Sequence, residues 1–177
     1  EIPKNVAGLM LAAIISDTLL FRSPTCTKTD KDIALELAEI AGVDAEEFGL
    51  AMFKAGTSLV GKTIEEIYNQ DYKAFNIGDA KVGIAQVNTM DIDGFAPLKG
   101  EMLEYMENLC VENGFDTAVL LLTDVINATS EVFVAGTHPE YVENAFNVQL
   151  VEHEANLPGV ISRKKQVVPA ITRAINA

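Results

Sequence analysis

Three places in the sequence carry residue types that could do phosphate or metal chemistry. The first is Asp17, set in Ile14-Ile15-Ser16-Asp17-Thr18-Leu19-Leu20-Phe21. An ionised carboxylate among apolar neighbours needs a compensating partner, and a bound cation is one such partner. The bland reading is an Asp on a helix's polar face or near its end. The second is Ser162-Arg163-Lys164-Lys165, inside a stretch, Leu157 to Ala177, that contains no Asp or Glu. Arg presents a planar fork that matches phosphate oxygens and Lys a compact point charge, so the pair suits a phosphate clamp. A strand-to-helix junction there would add backbone donors at the helix amino terminus. Three basic residues in a loop can equally be solvated surface. The third is Lys73 in Asp71-Tyr72-Lys73-Ala74-Phe75, which by itself reads as an ordinary surface lysine in a loop.

Other chemistries find little support. His138 is followed by Pro139, His153 ends an apparent strand, and neither has a second His or Cys at ligand spacing. Both read as surface or structural. There is no glycine-rich phosphate loop, no Gly-x-Ser-x-Gly elbow and no Cys-His arrangement for nucleophilic catalysis. Cys26 and Cys110 cannot make a disulfide framework for a chain this long, which points to a reducing cytoplasm.

The elements that must position these residues follow from periodicity and punctuation. Residues 4 to 21 read as a helix. Its apolar stretch, Val6 to Ile15, is too short to span a bilayer and reads as a buried helix of a soluble protein. Thr27 or Thr29 caps a second helix that runs to about Ala41 and stops at Gly42; Asp44 caps a third through about Ala55. Residues 56 to 62, with two glycines, a Ser and a Thr, read as a linker. Thr63 and Glu66 then form a capping box. Beyond it, strands are expected at Lys81 to Thr89, Ala118 to Thr123, Glu131 to Ala135 and Val148 to Glu152, with helices at Leu98 to Asn113 and His138 to Phe146. A strand near Val160 and a helix from about Lys165 close the reading. The expected class is α/β: helices first, then a mixed β-sheet domain flanked by helices.

With 177 residues, 49% hydrophobic and 22% charged, the chain can bury a real core. Its formal charge of -13 argues against a nucleic acid held by general electrostatics, because that requires clustered Lys and Arg. An acidic protein that binds an anion must do so locally.

Several blocks in order resemble family II inorganic pyrophosphatases. They are Ala7-Gly8-Leu9-Met10-Leu11, then Ile15-Ser16-Asp17-Thr18-Leu19-Leu20-Phe21-Arg22-Ser23-Pro24-Thr25-Cys26-Thr27, then Ile40-Ala41-Gly42-Val43-Asp44, Asp71-Tyr72-Lys73, Ala85-Gln86-Val87-Asn88-Thr89, and Ser162-Arg163-Lys164-Lys165-Gln166-Val167-Val168-Pro169. These enzymes belong to the Asp-His-His (DHH) phosphoesterase superfamily. The resemblance implies hydrolysis of pyrophosphate to two phosphates at a pair of Mn or Co ions, with Mg accompanying the substrate. It implies Asp17 as a metal ligand, Lys73, Arg163 and Lys164 as substrate-binding residues, and Arg163 and Lys164 as the residues that neutralise charge on the departing phosphate. It further implies a soluble cytoplasmic enzyme, a possible homodimer, and neither nucleic acid nor membrane as partner.

One departure matters. The family's His-x-x-x-Asp-x-Asp motif, a further Asp and an Asp-His-His segment do not occur here, and the sixteen residues before Asp17 hold no His or Asp. At most one metal ligand of the expected set is present. Residues 1 to 55 are therefore expected to be the closing helices of an amino-terminal metal domain, 56 to 62 a linker and 63 to 177 the carboxy-terminal substrate-binding domain. The chain is expected to be a truncated piece of a longer enzyme, inactive alone. The competing expectations are another phosphoesterase of the superfamily, acting on polyphosphate or a nucleotide, and a non-catalytic phosphate-binding module.

Overall fold

The computed structural model describes residues 2–177, which divide into two units, the first ending at Ser58 and the second spanning Leu59–Ala177. The first unit is helical. Helix α1 (Lys4–Thr18) buries Ala7, Leu11, Ile15 and Thr18, a stripe at spacings of three and four. The expectation of a helix buried all round is not met in this chain: Val6, Leu9 and Met10 are exposed, Leu9 by 72%.

Helix α1 also ends three residues earlier than expected. Leu19, Leu20 and Phe21 all take left-handed backbone angles, with φ of 47°, 52° and 64°. Each such residue costs about 1–2 kcal/mol. The turn is held by hydrogen bonds from Leu20 N to the Ile15 carbonyl (2.9 Å) and from Ser23 N to the Thr18 carbonyl (2.9 Å), and by burial of Leu19 and Leu20.

Helix α2 (Lys28–Ala41) is capped by Thr27, not Thr29. The Thr27 side chain accepts from Asp30 N, and the Asp30 carboxylate accepts in return from Thr27 N at 2.7 Å. It stops at Gly42, whose φ of 76° suits glycine. Helix α3 (Ala45–Gly56) starts at Asp44, whose carboxylate accepts from Glu46 N and Glu47 N, each at 2.9 Å.

The second unit is a five-stranded mixed sheet between two helical layers. The capping box of Thr63 and Glu66 opens α4 (Ile64–Tyr68), and a 3-10 turn at Asn69–Asp71 leads into β1 (Tyr72–Ile77). The remaining elements are β2 (Ala80–Thr89), α5 (Lys99–Asn113), β3 (Thr117–Asp124), β4 (Thr129–Gly136), α6 (Glu140–Phe146), β5 (Glu154–Pro158) and α7 (Val168–Ile175). The strands lie in chain order. Only β2 and β3 pair in parallel, joined by the crossover through α5; the other neighbours are antiparallel.

One sheet face packs Ala85, Leu120, Leu122 and Phe133 against α4 and α5, where Tyr68, Met102 and Met106 are fully buried. The other packs Val82, Ile84, Val119, Leu121 and Val132 against Val142 of α6 and Ile171 of α7. All eight residues of β3 are buried, which is why its sequence reads as a continuous apolar run rather than an alternation.

Three expectations are corrected. Lys73 lies on edge strand β1, not in a loop; β1 escaped notice because Lys73, Ala74 and Asn76 are exposed and the apolar alternation is broken. Residues Val148 to Glu152 are not a strand: Glu152 and His153 turn left-handed (φ 50° and 70°), and the ladder resumes only at Glu154. Val148 and Leu150 nevertheless pack on the core, so their alternation reports burial, not pairing. Finally, β5 ends at Pro158 before the turn at Gly159 (φ 74°), so Val160 is outside the strand; the helix expected from about Lys165 is present, a π turn at Arg163–Val167 running directly into α7.

Gly136 closes β4 at φ 106°, where an added Cβ would lie 2.5 Å from the Asp116 carbonyl oxygen. Gly136→Ala should therefore destabilise the fold by at least the roughly 1–3 kcal/mol typical of such backbone strain. Urea denaturation of the variant checks this, and an unchanged midpoint would contradict it.

Candidate phosphate-binding site

The basic segment is fastened to the sheet by a partly buried polar network. On the α6/α7 face, the apolar row Val82 and Ile84 of β2 gives way to Gln86 and Asn88, and the neighbouring strands end in Thr123 and Ser130. Gln86 Nε2 donates to Thr123 Oγ1 (2.9 Å) and to the Ile161 carbonyl (3.0 Å), while its Oε1 accepts from Arg163 N (3.0 Å). The Ser130 hydroxyl meets Thr123 Oγ1 at 2.9 Å and donates to the Val160 carbonyl at 2.6 Å. Gln166 Oε1 accepts from Ile161 N (2.9 Å) and Ser162 N (3.0 Å), and its Nε2 donates to the Gly159 carbonyl (2.8 Å). Residues 159–166 are thus held at several points on groups whose burial makes these bonds costly to lose.

This network changes one expectation. The amides of Ile161, Ser162, Arg163 and Lys165 all donate to side-chain oxygens of the chain, so the junction offers an anion little backbone N–H. Attraction for an anion rests on side-chain charge.

Arg163 is the best-ordered of those charges. Its side chain is only 9% exposed, and its Nη2 pairs with Asp71 Oδ1 at 2.7 Å. Nη1 donates to the carbonyls of Asp71 and of Ile84, the latter at 3.3 Å. Ile84 is the register partner of Lys73 on β1, and Asp71 is two residues before it. The structure thus brings the Arg163-Lys164 segment and the Lys73 strand together, which the sequence spacing of ninety residues could not show. Lys73 and Lys164 are exposed, and among the described residues neither has an ion-pair partner.

Asp17 belongs to the first unit, exposed in the last turn of α1, and its carbonyl accepts from Thr25 Oγ1 at 3.2 Å. Among the described residues no group of three or more His, Cys, Asp or Glu could hold a metal ion. Asp17 alone does not make a metal centre.

The remaining candidates are structural. His138 stacks on Tyr141 with ring centres 5.1 Å apart and meets Glu140 at 2.8 Å; His153 contacts the Val134 carbonyl at 3.2 Å. Burial pushes the Cys110 thiol up to about 11, which leaves no nucleophilic thiolate at neutral pH. A cavity of about 470 Å³ beside β5 is lined by Glu131, Val148, Gln149, Val151, Glu154, Ala155 and Asn156. With two acids and no base, that lining does not suit an anion.

Gln86, Gln166 and Asp71 were missed as site residues in the sequence. The signal for Gln86 was present: an amide on the strand face where Val82 and Ile84 demand an apolar residue needs a polar partner. Gln166 and Asp71 gave no comparable signal.

Comparison with known proteins agrees with the resemblance noted from the sequence. Residues 50–174 match the model of the DHHA2 domain. A cobalt-dependent inorganic pyrophosphatase of Clostridium perfringens is 58% identical over 172 residues, covering 97% of this chain and 31% of that protein. A Clostridium acetobutylicum protein named as a manganese-dependent inorganic pyrophosphatase is 53% identical over 175 residues, 99% of this chain and 56% of its own length. The crystal structure of a Methanococcus jannaschii protein named for the family II inorganic pyrophosphatases superposes with a TM-score of 0.90 at 44% identity, covering 100% of this chain and 58% of that one. The chain spans about a third to just over half the length of these relatives. It belongs to the DHHA2 domain family.

Proposed function

We propose that this chain is the substrate-gripping part of a protein that hydrolyses inorganic pyrophosphate to two phosphates. The observation that carries the reading is that a buried, oriented Arg163, followed by exposed Lys164, is bonded to Asp71 and to Ile84, the register partner of exposed Lys73, in a chain that is otherwise strongly acidic. Such a local concentration of positive charge suits a small, highly charged anion. The names of the relatives support pyrophosphate as that anion and Mn or Co as the metal; Mg accompanying the substrate is implied by the family resemblance alone.

Residues 1 to 55 are read as the closing helices of a metal-binding domain, 56 to 62 as a linker and 63 to 177 as the substrate-binding domain. Lys73, Arg163 and Lys164 would bind the phosphoryl groups, with Arg163 and Lys164 neutralising charge that develops in the transition state. Asp17 would supply one metal ligand. Because the described residues do not complete a metal site, activation of water is assigned to no residue of this chain. The protein would act in the cytoplasm.

The test pairs turnover with binding. Pyrophosphate should bind to the 177-residue chain by calorimetry, without phosphate release in the presence of Mn, whereas a full-length protein should release phosphate faster from pyrophosphate than from tripolyphosphate or a dinucleotide. Turnover by the pure 177-residue chain would overturn the assignment of the metal site to residues outside it.

A further inference from the structure

A guanidinium carries five N–H donors in a fixed planar fork. In Arg163 both Nη1 hydrogens go to carbonyls, those of Asp71 and Ile84, and one Nη2 hydrogen goes to the Asp71 carboxylate at 2.7 Å. The Nε hydrogen and the second Nη2 hydrogen have no partner among the described residues. In a planar guanidinium these two hydrogens are parallel and form the lateral fork that meets two oxygens of a phosphate.

Burial of the pair is uneven. The Arg163 side chain is 9% exposed and that of Asp71 is 55% exposed. The carboxylate keeps contact with water while it holds a guanidinium that has largely lost it. A negative charge beside the grip weakens its attraction for an anion, so its contribution to phosphate binding must come from orientation.

We propose that Asp71 is a positioning residue for Arg163: it occupies the Nη side of the guanidinium, fixes its plane against the β1–β2 edge, and presents the Nε/Nη2 fork to a phosphate group. The inference rests on the reading of Arg163 as a pyrophosphate-gripping residue. It assigns a role to the acidic residue of Asp71-Tyr72-Lys73, which the phosphate chemistry alone would disfavour.

The test is a double-mutant cycle in the full-length protein, with kcat and KM for pyrophosphate and urea midpoints measured for each variant. Asp71→Ala should lower kcat/KM by about 10- to 100-fold, as loss of the partner that orients a ligand commonly does. Asp71→Asn, which keeps the shape and one acceptor oxygen, should lose less and covers the case in which Asp71→Ala fails to fold. The double variant Asp71→Ala/Arg163→Ala should be no worse than Arg163→Ala alone. Millimolar guanidinium should partly restore Arg163→Ala and fail to restore the double variant.

A merely structural role predicts the opposite pattern: additive losses that follow the urea midpoints. That result, or an unchanged kcat/KM in Asp71→Ala and Asp71→Asn while Arg163→Ala is impaired, overturns the positioning role alone. An unchanged kcat/KM in Arg163→Ala overturns the grip itself, and the role of Asp71 with it.

Discussion

Replacing Arg163 by alanine in the full-length protein should lower kcat/KM for pyrophosphate by about 30- to 1,000-fold, equivalent to the roughly 2–4 kcal/mol lost with one donor to a developing oxyanion. The geometry adds a second consequence. The guanidinium also donates to the Asp71 and Ile84 carbonyls and pairs with the Asp71 carboxylate, so its removal should cost about 1–3 kcal/mol of stability through the hydrogen bonds lost. Assays must therefore run well below the unfolding transition of the variant. Arg163→Lys should not restore activity, because one ammonium cannot hold two carbonyls and a carboxylate and still offer a fork. Steady-state kinetics on the two variants, with urea curves for each, separates the effects. Wild-type kcat/KM in Arg163→Ala would refute the assignment.

The largest expected effect on stability lies in the core. Phe133 is fully buried in β4, with its ring centre 5.5 Å from that of Phe95 and the Lys99 ammonium 5.4 Å above it. Phe133→Ala removes the ring from between β4 and the α5 layer, and no small shift of a central strand can refill the space. The expected loss is about 3–5 kcal/mol. Val111→Ala on the outer face of α5, where Val111 is 83% exposed, should stay within about 0.5 kcal/mol. Urea denaturation of both variants measures the contrast. A Phe133→Ala loss below that of Val111→Ala would mean that the packing of the sheet on α5 is wrong.

The same layer explains why Lys99 is not part of any anion grip despite its charge. Hydrogen bonding to Glu154 at 2.9 Å, with Glu131 at 3.7 Å, raises its pKa and commits it to carboxylates of β4 and β5. Lys73 and Lys164 differ in having no such acidic partner among the described residues.

Much of the local structure was legible because its causes are local. A Thr or Asp whose side chain accepts from the backbone N–H two or three residues on marks a helix start, so Asp44 and Thr63 announced α3 and α4, and the pair Thr27 and Thr29 announced α2 without deciding between them. Glycines at Gly42 and Gly114 announced helix ends for the same reason. Strands with a buried face, β2, β3 and β4, were legible from their apolar residues. Where a segment's structure depends on distant partners, the reading failed. The edge strand β1 pairs on one side only and needs little hydrophobicity, so Tyr72–Ile77 passed for a loop. The run Val148 to Glu152 has a strand's apolar residues but turns at Glu152 and His153, a choice made by packing and not by propensity. The left-handed turn at Leu19–Phe21 follows from burial of leucines that would locally prefer to continue the helix.

For the site, the division is similar. The sequence by itself narrowed the kind of chemistry: a cluster of Arg and Lys in an acidic chain suits an anion, and of the metal ligands that the family resemblance implies, Asp17 is the one this chain carries. Only the tertiary structure decided which residues meet. The β1–β2 register sets Lys73 beside Ile84, Gln86 anchors the backbone of Arg163, and Asp71 takes up one side of its guanidinium. The two pairings of Arg163 have no local signature, because hydrogen bonds between residues 77 and 92 positions apart depend on the path of the chain between them, and that path is set by the burial of the whole sheet.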